Sequence, residues 1–70
     1  MMKKRSVTIA GHRTSVSVEE PFWQALQEIA GRDGISVASL IAAIDQRRAP
    51  EDNLSSAIRV EVLRRVRGER

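Results

Sequence analysis

Residues 14–23 read TSVSVEEPFW, a stretch that begins as one kind of backbone and ends as another. Thr14, Ser15, Val16, Ser17 and Val18 are small or β-branched and alternate in polarity, the period-two pattern of a half-buried strand. Glu19, Glu20 and Pro21 then open a helix with no turn residue in between. Proline suits a first helical turn, where its missing N–H would have had no partner, and acidic groups there face the positive end of the helix dipole. A strand this short is not stable alone, because its backbone groups and its apolar face both need partners. What pairs with it decides the fold.

Downstream, Phe22, Leu26, Ile29 and Ala30 recur at i, i+4, i+7 and i+8, with Trp23 and Ala25 widening the same face, so an amphipathic helix is expected from Pro21 with Trp23 substantially buried. Gly31 and Gly34 bracket Arg32 and Asp33 and mark its stop. Ser36 is a good N-cap for a second helix, in which Val37, Leu40, Ile41 and Ile44 repeat at i, i+3, i+4 and i+7 before the pattern ends near Gln46. The polar, proline-bearing QRRAPED reads as a surface connection. Asn53 or Ser55 can cap a third helix carrying Ile58, Val62 and Val66 on one face with Leu63 beside them. Upstream, Ser6, Val7, Thr8 and Ile9 also alternate, and Ala10, Gly11 and His12 interrupt them. Gly11 fits a hairpin turn or a bulge in one long strand, and the basic terminus alternatively reads as a loosely attached arm.

Seventy residues allow one domain, and a chain of this size buries too little apolar surface to be comfortably stable without disulfides, metal or a partner. With no cysteine there is no disulfide framework and no thiolate metal site, which suits a reducing cytoplasm. A second copy is the remaining support. SVTIAG is too short and polar for a signal-peptide core, and no apolar run is membrane-length, so a soluble intracellular protein is expected. Residues 1–13 hold Lys3, Lys4, Arg5 and Arg13 with no acid, while residues 14–34 hold four acids against Arg32. Positive charge therefore gathers on the strand-like end, where it attracts phosphates or acidic surfaces.

No constellation for catalysis stands out. His12 is the only histidine and sits beside Gly11, Ser36 and Ser39 lack a base, and Glu19 and Glu20 are accounted for by the helix dipole. No metal-ligand spacing or glycine-rich phosphate loop occurs, so neither cofactor nor metal is expected and the chain does not read as an enzyme.

The order of strand, helix, glycine turn and helix in TSVSVEEPFWQALQEIAGRDGISVASLIAAI, with Gly34, Ile35 and Ser36 entering the second helix, resembles the ribbon-helix-helix family of Arc- and methionine-repressor-like bacterial proteins. The flanks KRSVTIAGH and NLSSAIRV look like a short variety of it. The resemblance implies an α+β fold, mostly α, built as an intertwined homodimer whose strands pair antiparallel between chains. It divides the chain into a basic arm or extra strand (residues 1–12), a ribbon-helix-helix core (13–48), and a linker with a C-terminal helix (49–70). It also implies a DNA-binding transcriptional regulator that inserts the ribbon into the major groove of double-stranded DNA. Arg13, Ser15 and Ser17 would contact bases, while Thr14, Val16 and Val18 face the helices. Alternate strand residues lie about 7 Å apart, close to two base steps at roughly 3.4 Å each. Lys3, Lys4 and Arg5, together with Ser36 and Val37 at the start of the second helix, would hold phosphates. The alternative is a protein-interaction or antitoxin-like module that keeps the dimer without base readout and binds a protein partner through Val7, Ile9 and the C-terminal helix.

Overall fold

The computed structural model describes residues 2–68, with side chains from Lys4 onward. Two strands, β1 (Met2–Ile9) and β2 (His12–Glu19), precede three helices, α1 (Glu20–Asp33), α2 (Val37–Arg47) and α3 (Leu54–Val66). The strands form one antiparallel hairpin, with Ile9 opposite His12, Val7 opposite Thr14, Arg5 opposite Val16 and Met2 opposite Glu19. The partner of the quoted strand is therefore the preceding strand of the same chain.

Two residues close the hairpin. Ala10 and Gly11 have φ of 51° and 79°, as a type I′ turn requires at both central positions, and that turn matches the twist of the strands it joins. Glycine adopts this conformation freely, but at Ala10 the Cβ opposes it at a cost of about 1–2 kcal/mol.

The strand-to-helix junction needs no loop because Glu19 is extended, with φ −63° and ψ 150°, and serves at once as the last strand residue and as the N-cap of α1. Pro21 lies in the first turn. At the other end of α1, Gly34 is left-handed, with φ 70°. Its N–H reaches the Gly31 carbonyl at 3.3 Å, and that of Ile35 reaches the Ala30 carbonyl at 3.0 Å, so two of the helix's last carbonyls are satisfied. Ser36 caps α2 by accepting from the Ser39 N–H at 3.0 Å. Asn53, the first of the two expected caps, accepts from the Ser56 N–H at 2.8 Å to start α3. The connection between these helices is a tight turn in which the Arg48 guanidinium reaches Asp45 and the Asp52 carbonyl, each at 2.6 Å.

All three helices cover one face of the hairpin, α2 against β1 and α1 and α3 against β2. Ile9, Val16 and Val18 from the strands meet Leu26, Ile29 and Ala30 of α1, Leu40, Ile41 and Ile44 of α2, and Ile58 and Val62 of α3. One core thus draws on all five elements. Trp23 is partly buried against it, with the Arg5 guanidinium stacked 4.4 Å from the ring centroid. Leu63 and Val66, expected on the packed side of α3, are 53% and 74% exposed. The inward side of α3 instead carries Glu61, 9% exposed, which accepts from Arg65 at 3.1 Å and lies 3.5 Å from Arg47. Arg65 in turn pairs with Asp33 at 3.0 Å. Beyond Val62 an ion-pair network replaces apolar packing.

Asparagine tolerates positive φ where alanine resists it, so Ala10→Asn should stabilise the fold by about 1 kcal/mol, read as a higher urea midpoint. Ala10→Val should lower the midpoint. If neither substitution moves it, the turn stores no strain.

Candidate nucleic-acid interface

Side chains of directly opposed residues share a face of an antiparallel pair, and successive residues alternate between faces. Since Val16 is buried, its partner Arg5 also belongs to the inner face. The outer face is formed by the intervening pairs, Lys4 with Ser17, Ser6 with Ser15, and Thr8 with Arg13. Every side chain on that face from Lys4 to Thr8 and from Arg13 to Ser17 is polar. Lys4 and Arg13 are exposed and, among the described residues, neither enters an ion pair.

Arg13 and Ser15 project fully into solvent and Ser17 is partly covered. Lys4 is exposed on the same face, whereas the Lys3 side chain lies outside the described residues. Arg5 occupies a different environment from the arm expected of it. It sits on the inner face, donates to Glu20 at 2.5 Å and stacks on Trp23. The alternation Arg5, Val7, Ile9 carries the signal for this placement: arginine can lay an aliphatic stem along an apolar face and keep its head group paired at the margin. At the start of α2 the Ser36 hydroxyl is engaged by Ser39, accepting from its N–H and donating to its Oγ, both at 3.0 Å. The N–H groups of Val37 and the next residue belong to the first turn, which has no intrahelical acceptor for them.

One edge of the ribbon is partly closed by α3. In a hairpin with a two-residue turn the closing pair exchanges both backbone bonds, and bonded and non-bonded pairs alternate from there. Arg13, Ser15 and Ser17 therefore turn their N–H groups away from β1. The Ser17 N–H donates to Ser55 Oγ at 3.3 Å. Two residues on, Arg59 donates to both Glu19 oxygens, at 3.0 and 3.4 Å, and lies 6.0 Å from the Phe22 centroid. Neither Ser55 nor Arg59 is singled out by the sequence pattern for this task, since the contacts span about half the chain. The Arg59 hydrogen bonds hold the Glu19 carboxyl below its usual value of 4.5. The only acid on the outer face of β2 is thereby neutralised.

Among the described residues no group of His, Cys, Asp and Glu is arranged to hold a metal ion. His12 is exposed beside the turn. No helix is long and apolar enough to cross a membrane.

A two-stranded ribbon with a polar outer face and a helical layer beneath is the architecture of ribbon-helix-helix proteins. The model of the ribbon-helix-helix domain family matches residues 2–66, and the chain belongs to that family. Among solved structures it is similar to an uncharacterized protein from Bordetella pertussis Tohama I, at a TM-score of 0.78 and 38% identity, with 94% of this chain covered and 56% of that one. The chain thus spans little more than half the length of that protein. No curated protein matches the sequence.

Because the folded pKa of Glu19 is lowered, its contribution to stability is present above the unfolded value and is lost as pH falls through the folded one. Wild type should exceed Glu19→Gln in urea midpoint at neutral pH, and the gap should close on acidification below pH 4.5. A gap independent of pH would show that the Arg59 contact does not act through the carboxylate charge.

Proposed function

We propose that this chain is a DNA-binding transcriptional regulator of the cytoplasm that works as a homodimer and lays the outer face of the β1–β2 hairpin in the major groove. The observation that carries this reading is the composition of that face, which is polar from Lys4 to Thr8 and from Arg13 to Ser17, bears Lys4 and Arg13 with no ion-pair partner among the described residues, and has its one carboxylate on β2 tied off by Arg59.

Dimensions support it. Neighbouring strands lie about 4.8 Å apart, so a two-stranded ribbon with its side chains suits a groove roughly 12 Å wide. Four strands side by side would span about 14 Å of backbone alone. In the proposed complex Arg13 pairs with guanine O6 and N7, and the hydroxyls of Ser15 and Ser17, joined by Ser6 and Thr8 from β1, make less selective contacts. Lys4 and Lys3 serve phosphates, as do the N–H groups of the N-cap Ser36 and of Val37 at the start of α2, where the helix dipole favours an anion. Arg5 is assigned to the fold and not to DNA, because Glu20 and Trp23 already occupy it. Two copies reading two half-sites would raise affinity and supply the length of sequence that one short ribbon lacks.

Binding of wild type, Arg13→Ala and Lys4→Ala to a selected duplex and a scrambled one across a salt series tests the assignment. Arg13→Ala should lose about 1–3 kcal/mol on the selected site and little on the scrambled one, whereas Lys4→Ala should weaken both and lower the salt slope by about one. Sedimentation of the complex should give two chains per duplex. A wild type that does not discriminate between the duplexes, with Arg13→Ala indistinguishable from it, ends the reading.

A further inference from the structure

The outer side of α3 carries apolar residues that the fold does not use. Val60 is 49% exposed and Leu63 is 53% exposed, and three residues apart on a helix they are neighbours. Val60 also forms one wall of a groove of about 370 Å³ between the C-terminal half of α2 and α3, with Ile44 and Ala57 beside it and Arg47 and Arg64 at its margin. We infer that this groove and the adjoining crest of α3 dock an acidic amphipathic helix of another protein, its apolar stripe over Val60 and Leu63 and its carboxylates against Arg64 and Arg47.

Charge selects this occupant. From residue 59 to residue 67 the chain carries four arginines and one acid, Glu61. Glu61 is turned inward, 9% exposed, and shared between Arg65 and Arg47. Among the described residues Arg64 has no ion-pair partner, and the Arg47 side chain remains 60% exposed. A second copy meeting this face would set arginine rows against each other, with Asp52 the one exposed acid in the groove's lining against Arg47, Arg48 and Arg64. Duplex DNA would suit the arginines but would strip water from Val60 and Leu63 without offering apolar surface in return. An acidic amphipathic helix satisfies both demands: helix-in-groove packing supplies apolar contacts at i, i+3, i+4 and i+7, and charge-assisted hydrogen bonds to guanidinium fix its orientation. The face belongs to the helical layer, not to the outer ribbon face, so a bound helix would leave Arg13 and Lys4 accessible.

The probes are two fluorescein-labelled peptides of roughly 15 residues, long enough to form helix on binding, with the same leucine stripe flanked either by glutamates or by lysines. Anisotropy should show saturable, salt-sensitive binding of the glutamate peptide to the full chain and none of the lysine peptide. Val60→Glu should weaken the glutamate peptide at least about tenfold, as expected for loss of one buried aliphatic contact and introduction of a like charge. Arg64→Glu should reverse the preference toward the lysine peptide, an outcome that a merely unfolded variant cannot produce. Equal binding of both peptides, or binding of neither, overturns the proposal. So does sedimentation showing that Val60→Glu converts a wild-type dimer to monomer, which would make a second copy the occupant.

Discussion

With only Ala10 and Gly11 between the strands, Ile9 must lie opposite His12, and that constraint assigns every side chain of both strands to a face. A slip of one residue would send Val16 and Val18 outward and bring Ser15 and Ser17 onto the helices, because the side-chain period of a strand is two. The turn thus sets both the core and the candidate interface. It does so at an unfavourable backbone position, since Ala10 carries a φ of 51°. The packing of Val16 and Val18, 1% and 0% exposed, offsets that strain, because losing either contact would cost more than about the 1–2 kcal/mol of a left-handed alanine.

The same register determines what α3 does. Its fully buried apolar residues are few, Ile58 and Val62, with Leu54 and Ala57 partly buried beside them, and polar contacts add to its attachment: Ser55 to the Ser17 N–H, Arg59 to Glu19, Glu61 to Arg47, and Arg65 to Asp33. The Asp33 contact keeps the Arg65 guanidinium firmly protonated, with its pKa raised above the ordinary arginine value. The partly exposed pairs of Arg59 with Glu19 and of Arg65 with Asp33 contribute about 0–1 kcal/mol each, so their role is more in placement than in stability. They hold α3 where Ser55 can occupy part of an unpaired strand edge, and such edges invite association unless they are covered or charged.

Much of this organisation is legible in the residues themselves. Pro21, Gly34, Ser36 and Asn53 each mark a helix end through local chemistry, and the periodicity between Phe22 and Ile44 identifies two buried faces. The extent of β1 is not legible, because Lys3, Lys4 and Arg5 look the same in a solvated arm as in a strand, and only pairing across the turn distinguishes the two. The alternation Arg5, Val7, Ile9 turns Arg5 inward once β1 is known to be a strand, but its partners Glu20 and Trp23, which arrive beside it from α1, are not legible. On α3 the sequence pattern favours Val66, whereas tertiary contacts favour Glu61 and Arg65, whose partners Arg47 and Asp33 lie on other helices. For the outer ribbon face, the polar alternation at residues 13–17 is visible at once, but Ser6 and Thr8 join it only once β1 is known to fold back.

A ribbon completed within one chain changes what a second copy has to supply. In the pairing implied by family resemblance, association provides the missing strand. Here β1 fills that place, and α3 occupies part of the outer edge of β2. Continuation of the sheet across that edge would require displacing Ser55 from the Ser17 N–H, while the opposite edge carries Lys4, a charge that discourages edge-to-edge pairing. Both features keep the ribbon two strands wide, the width a major groove admits. Within one chain, β2 therefore has its strand partner before any second copy arrives, and the register that the Ala10–Gly11 turn sets holds without one.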